Sequence, residues 1–196
     1  QLIRLADRLE APLATTLKAK GLFNDHPYNM DIFGTLSTPA AYDLIAQSDC
    51  ILCFGTGLHD FTTDRGHLMR NKRIIQVDIN PTAIGSGVHP DAALCADAGL
   101  TADIFVHWLN EAEISPSGFT RDVDIASLTA HPVGSTTTAE GCINYVQSLE
   151  KLEKALPQNR VLVTDGGRFM TEVWCRLSVP DPKSFVVTAN FGSIGL

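Results

Sequence analysis

Apolar positions change spacing several times along this chain, and each change predicts an element. Leu2, Leu5, Ala6 and Leu9 recur at helical spacing, with Arg4, Asp7 and Arg8 between them, which predicts an opening helix. Pro12 ends it, and Leu13-Ala-Thr-Thr16 reads as a short strand. A loop carrying Asn24, Pro27 and Gly34 follows. Thr38 then caps a helix with Pro39 in its first position and Ala41, Leu44 and Ile45 on its buried face. Cys50 to Phe54 is apolar throughout and predicts a buried strand ending in Gly55-Thr-Gly57. Arg73 to Ile79 predicts a second strand, closed by Asn80-Pro81, and Ala92 to Ala96 a weaker third. Thr101 and Asp103 open a helix whose predicted buried stripe is Ile104, Phe105, Trp108, Leu109 and Ala112.

Strands that are apolar on both faces and alternate with helices predict an α/β fold: a parallel sheet with helices on both faces, over residues 1–112. From Glu113 the texture changes. Pro116, Gly118, Pro132, Gly134 and a Ser-Thr-Thr-Thr138 run predict an inter-domain linker over 113–138. A second α/β unit over 139–196 then opens with a helix burying Ile143, Val146, Leu149 and Leu152, with Glu150 and Lys154 paired outside. Strand Arg160–Thr164, a turn at Asp165-Gly-Gly167, a helix from Phe169 and strand Phe185–Thr188 complete it. Both ends are expected to be cut: the central sheet lacks a first strand, and two strands are too few to cover the second unit. The segment from Glu140 onward is therefore expected to be the less stable part, with self-association through its apolar surface the favoured outcome.

Composition narrows the function classes. Apolar residues make up 44% of the chain, enough for a core, and a net charge of -7 without any Lys/Arg cluster excludes a nucleic-acid footprint. No apolar run is long enough to cross a membrane and no signal-peptide pattern is present, so a cytoplasmic setting is expected. Cys50, Cys53, Cys95, Cys142 and Cys175 sit mostly in apolar segments and are expected as reduced, buried thiols. Cys50 and Cys53 have C-x-x-C spacing but fall on a strand, where residues three apart point to opposite faces. The six histidines show no ligand spacing, so no metal is assigned to this chain.

Three motifs carry candidate chemistry. A strand ending in Gly55-Thr-Gly57 can let backbone approach a pyrophosphate, and Asp78 stands where a ribose-binding carboxylate belongs. Asp60 takes the place of the third glycine, which favours a tight turn over a dinucleotide site. Asp165-Gly-Gly167-Arg168 follows a strand at its carboxyl end, where open α/β sheets bind ligands; a phosphate contact and a simple turn with a solvated arginine fit equally. Gly192-Ser-Ile194-Gly195 suits either a backbone approached by something flat or an ordinary turn.

Taken together and in order, these strings resemble thiamine-diphosphate-dependent enzymes of the acetolactate synthase, pyruvate decarboxylase and benzoylformate decarboxylase group. The resemblance rests on Ala11-Pro-Leu-Ala-Thr-Thr-Leu-Lys-Ala-Lys-Gly21 with His26-Pro27 and Gly34, Ala46 to Gly55, Ile75 to Pro81 with Ile84-Gly85, Arg160 to Gly167, and Phe191 to Gly195. It implies a Rossmann-like central domain, of the type shared with deoxyhypusine synthase, followed by the truncated start of the cofactor domain. It also implies a multidomain, dimeric or tetrameric parent enzyme using thiamine diphosphate and Mg²⁺ to decarboxylate or join 2-oxo acids. By position, Gly167 and Arg168 would meet the diphosphate end, Gly192 would offer its carbonyl to the aminopyrimidine, and Ile194 would support the bent cofactor. The metal-binding G-D-G…N-N string and the activating glutamate of the family have no counterpart here. No catalytic residue, activity or tight cofactor binding is therefore expected of this chain by itself. The stretch Thr56 to Thr63 lacks the arginine-rich string of flavin-binding members, so FAD is not expected. A nucleotide-binding module and a purely structural spacer are the competing classes.

Overall fold

The computed structural model describes residues 1–132, 138–167 and 169–188. Its elements are α1 (Leu2–Leu9), β1 (Leu13–Thr15), β2 (Asn29–Ile32), α2 (Pro39–Gln47), β3 (Cys50–Phe54), α3 (Asp60–Thr63), β4 (Arg73–Asp78), β5 (Ala92–Cys95), α4 (Ala98–Glu111) and α5 (Ile125–Leu128). The second unit adds α6 (Tyr145–Ala155), β6 (Leu162–Thr164), α7 (Met170–Arg176) and β7 (Phe185–Val187). Every strand pairing among the described residues is parallel. The strands form three ribbons: the central unit's strands are divided into β1-β2 and β3-β4-β5, and β6-β7 belongs to the second unit.

Where sequence signals were strongest the elements fall as predicted. Thr38 caps α2: its hydroxyl accepts from the Ala41 amide at 3.1 Å and donates to the Leu128 carbonyl at 2.7 Å. Ala41, Leu44 and Ile45 then meet Met30, Leu68 and Leu128 in a buried cluster. On the same face of β3, Cys53 joins Leu58, Met69 and Ile74, and Ile51 lies against both clusters.

Elsewhere the expectation is corrected. The loop after β1 contains β2, a short strand with Met30 and Ile32 turned inward and Asn29 and Asp31 only half-covered. Its polar alternate residues and the nearby Pro27 and Gly34 mask the two-residue period. Asp31 has φ 55° where the register against β1 slips, a bulge rather than regular strand. Helix α4 starts three residues earlier than Thr101, because Asp97 caps it by accepting from the Leu100 amide at 2.9 Å. Its stripe is also rotated. Thr101 and Ala102 are buried and Phe105 meets Phe54 edge-on, while Ile104 and Trp108 are 54% and 63% exposed. A step of about 100° per residue moves Ile104 and Trp108 off the sheet-facing line. Asn144 caps α6, leaving Ile143 outside the helix and exposed; Leu149 alone is deeply buried, and Glu150 turns to Arg176 rather than to Lys154. Strand β5 is exposed throughout, so helices do not cover the sheet to its edge. For the same reason the thiols are not all buried: Cys50, Cys95 and Cys142 are exposed, Cys175 is half-buried and only Cys53 is enclosed.

Part of the predicted linker, between Ser117 and Leu128, packs on the central unit. Ser117 donates to the Leu9 carbonyl, Phe119 and Val123 lie against the first cluster, and Leu128 of α5 is 1% exposed. The second unit docks on the central one. Met170, Trp174, Val179 and Phe185 share a buried cluster with Ile32 and Leu36. Asn24 donates to the Val179 carbonyl at 2.7 Å, and Arg176, in ion pairs with Glu150 and Glu172, donates to the Pro132 carbonyl at 2.7 Å. Nearby, Lys20 and Asp31 form a buried ion pair at 2.8 Å. Burial, and then the positive charge of Arg176, push the His131 imidazole below its ordinary pKa.

Candidate functional site at the carboxyl ends of the strands

The carboxyl end of the β6-β7 ribbon is built from a repeated pattern, an apolar strand closed by a threonine. Thr188 Nα–H and Oγ1–H both point at the Thr164 carbonyl, at 2.8 and 3.2 Å, and Trp174 Nε1 donates to Thr164 Oγ1 at 3.0 Å. Those bonds hold the strand ends and the face of α7 in one arrangement. Beyond them the chain turns through Asp165, Gly166 and Gly167. Gly167 has φ 144°, and a Cβ there would stand 2.4 Å from the Phe169 ring, so glycine suits this turn on both counts. Tyr145 of α6 donates to the Phe169 carbonyl at 3.2 Å, tying the end of the turn to the preceding helix.

A cavity of about 420 Å³ opens between these parts, lined by Thr164, Asp165, Phe169, Met170, Val173 and Thr188. It is largely apolar, with two hydroxyls and one carboxylate, which suits a flat organic ring better than a bare anion. Among the described residues no three His, Cys, Asp or Glu side chains converge as a metal site. The residues present therefore fit the organic half of a cofactor such as thiamine diphosphate. A metal-bound diphosphate would need ligands beyond the described residues. Of the predicted contacts, Gly167 lies at this cavity's turn; Arg168, Gly192 and Ile194 lie outside the described residues.

Gly55, Gly57 and Asp78 are on the other, three-stranded ribbon. Gly55 has φ 63° and open space where a Cβ would stand. Gly57 is covered: a Cβ on Gly87 would lie 2.6 Å from its carbonyl, and Ser86 Oγ approaches the same carbonyl at 3.4 Å. The Asp78 carboxylate accepts from the Asn80 amide at 2.8 Å, the turn predicted after this strand. Asp60 is exposed and opens α3. Sequence reasoning missed Gln76, which is fully buried beside these turns. Its amide donates to the Thr56 and Ala83 carbonyls and accepts from Gly85 Nα–H, at 2.8, 3.3 and 2.9 Å. A lone glutamine inside Ile-Ile-Gln-Val was the available signal. Missed at the other ribbon were Thr164, Thr188 and Trp174; the threonine that closes each Val-rich strand was the signal there.

Burial raises the enclosed Cys53 thiol to about 12, so it stays protonated near neutral pH.

The fold is thus that of an α/β protein with Rossmann-like parallel ribbons and its candidate site at strand carboxyl ends. Comparison with known proteins makes this specific. The profile of the "thiamine pyrophosphate enzyme, central domain" family matches residues 1–104, and the chain belongs to that family. It is 37% identical to a sulfoacetaldehyde acetyltransferase of Rhodobacter capsulatus over 105 residues, which is 51% of this chain and 18% of that protein. A probable acetolactate synthase large subunit of Methanocaldococcus jannaschii is 24% identical over the whole chain, covering 34% of that protein. A sulfoacetaldehyde acetyltransferase of Alcaligenes xylosoxydans is 28% identical over 98% of the chain and 37% of its own length. The chain therefore spans about a third of the length of relatives that it matches end to end. No helix among the described residues is long and apolar enough to cross a membrane.

Proposed function

We propose that this chain is the central domain and the first part of the cofactor domain of a thiamine-diphosphate- and Mg²⁺-dependent enzyme acting on 2-oxo acids. The observation that carries this is the continuity of the match. Relatives named acetolactate synthase align across the whole chain, beyond the residues 1–104 of the central-domain match and through the β6–turn–α7–β7 unit with its cavity. When bound, thiamine diphosphate supplies the electron sink that lets a 2-oxo acid lose carbon dioxide, before protonation or joining to a second carbonyl. On this reading the chain's own share is positional. By the resemblance, Gly167 and Arg168 would hold the diphosphate end, Gly192 would offer its carbonyl to the aminopyrimidine and Ile194 would support the cofactor. Thr164, Phe169 and Val173 keep water from the ring. The parent enzyme is cytoplasmic and homo-oligomeric, with no nucleic-acid partner, and residues 113–138 join its two units.

Calorimetry with thiamine diphosphate and Mg²⁺ tests this. The full encoded polypeptide is expected to bind both and to decarboxylate a 2-oxo acid, whereas Gln1–Leu196 binds neither tightly. Micromolar binding by the shorter chain would overturn the division of labour proposed here. The full polypeptide is also expected to be colourless, because nothing in Thr56–Thr63 replaces the arginines that hold flavin; a stoichiometric flavin released on denaturation contradicts that. Open space at Gly55 favours one second reading, an adenine nucleotide without flavin, with Asp78 toward its ribose. Equilibrium dialysis with ADP separates it from a purely structural role.

A further inference from the structure

Trp174 belongs to two places at once. Its side chain lies in the buried cluster that Met170, Val179 and Phe185 of the second unit share with Ile32 and Leu36 of the central one. Its indole N–H leaves that cluster and donates to Thr164 Oγ1 at 3.0 Å, at the wall of the cavity of about 420 Å³. An indole can only donate, so this bond settles what Thr164 does with its hydroxyl. One lone pair of Oγ1 faces α7, and the proton is left over. Among the described residues no acceptor takes that proton, because Thr188 directs both its hydroxyl and its amide at the Thr164 carbonyl. Thr164 therefore lines a largely apolar cavity with an oriented O–H that nothing else in the described chain uses.

We infer that Trp174 is a positioning residue for the ligand of this cavity: it holds Thr164 so that the threonine hydroxyl donates to a hydrogen-bond acceptor on the bound ring. The ring is that of thiamine diphosphate in the reading above, on which this role rests. Two consequences follow from the geometry. A hydroxyl free to rotate is fixed before the ligand arrives, and a donor already in place binds better than one that must first be ordered. The other consequence concerns the central unit. Its Ile32 and Leu36 help enclose the indole, so they set the direction of a hydroxyl that belongs to the other unit. The central unit is then more than a spacer, because its packing reaches the site through one side chain. The two halves of this link separate by substitution. Phenylalanine at Trp174 keeps an aromatic ring in the cluster and loses the N–H, and valine at Thr164 keeps the branched shape and loses the hydroxyl.

One measurement tests this without ligand. In Gln1–Leu196 carrying Trp108→Phe, the remaining indole is that of Trp174, and its N–H exchange with solvent is expected to quicken by about tenfold in Thr164→Val. The second measurement is calorimetry of the full encoded polypeptide with thiamine diphosphate and Mg²⁺. Affinity is expected to fall by about fivefold in Trp174→Phe and in Thr164→Val, the effect of one neutral hydrogen bond. The double variant is expected to lose no more than Thr164→Val alone, since Trp174 acts through that hydroxyl, and Thr164→Ser to keep the original affinity. Leu36→Ala is expected to weaken binding when Thr164 is present and to add nothing in Thr164→Val. Unchanged indole exchange, unchanged affinity in either single variant, or losses that add in the double variant each overturn the role of Trp174. Equal weakening by Leu36→Ala in both backgrounds overturns the link to the central unit. Failure of the unsubstituted polypeptide to bind thiamine diphosphate is a separate result, which overturns the cofactor reading and this role together.

Discussion

The two units of this chain are incomplete in opposite ways. The central unit holds two buried clusters of its own, around Leu128 and around Met69, and what it lacks among the described residues is backbone pairing between the β1-β2 and β3-β4-β5 ribbons. The second unit has its two strands paired to each other but no private core. Its most buried side chains, Met170, Trp174, Val179 and Phe185, are enclosed only with the help of Ile32 and Leu36 of the central unit. Apolar burial can be borrowed from a neighbour through side chains, at roughly 25 cal/mol per Å² and in any orientation. Strand pairing cannot, because it demands an extended chain in register. This is why the second unit docks on the central one through side chains, while the β1-β2 and β3-β4-β5 ribbons stay unpaired with each other.

The two tryptophans report the two regions separately: Trp174 is 7% exposed in the second unit and Trp108 63% exposed in the central one. The largest break is expected from Trp174→Ala, which empties the shared cluster and removes the donor to Thr164. A loss of about 3–5 kcal/mol exceeds what the second unit holds alone. Residues 139–188 should become protease-sensitive while amides of β3 and β4 stay protected; equal exposure of both regions would mean that they form one cooperative unit. Leu128→Ala is expected to cost about 2–5 kcal/mol and to act the other way. It opens the central cluster and carries the docked unit with it, seen as coincident loss of Trp108 and Trp174 signals on heating. Thr38→Ala removes a cap and strands the buried Leu128 carbonyl, for about 1–2 kcal/mol, read as a lower midpoint in urea with an unchanged slope.

The smallest effect is in pH and belongs to the seam. His131 is held below its ordinary 6.5, so the unfolded chain takes up the proton first and docking weakens as pH falls below 6.5. Glu153 responds in a lower window. Burial opposes its charge, but hydrogen bonds from Arg160 and Ser178 outweigh that and hold it below its ordinary 4.5. Its contribution is present above 4.5 and disappears as pH drops through the lower folded value. In Trp108→Phe, the Trp174 emission is expected to shift red in the first window, and His131→Gln to abolish that step alone.

Legibility followed how local the physics was. Thr38-Pro39, the all-apolar Cys50–Phe54 and the Asp165-Gly-Gly167 turn state their structure within a few residues, and all three stand where they were predicted. Strand β2 was hidden because its inward residues, Met30 and Ile32, are separated by an aspartate at a bulge. The exposed side of α4 was not legible either, since Ile104 and Trp108 differ from Phe105 and Leu109 only in which direction the helix is rolled. At the site, glycines advertise a turn. The Thr164–Thr188–Trp174 arrangement depends on a pairing between strands that no single stretch of sequence displays.

Every paired strand in this fold is joined to a partner adjacent to it in the chain: β1 to β2, β3 to β4, β4 to β5 and β6 to β7. Ribbons of that kind close through single crossovers of about a dozen to twenty residues, and contacts nearer in sequence form faster. Three ribbons can thus assemble in any order, on or off the ribosome, without waiting for one another. The slow event is left to whatever must bring ribbons together from a distance. Among the described residues that role falls to the seam: Ile32 and Leu36 must wait for Met170, Trp174 and Phe185, the partners farthest from them along the chain.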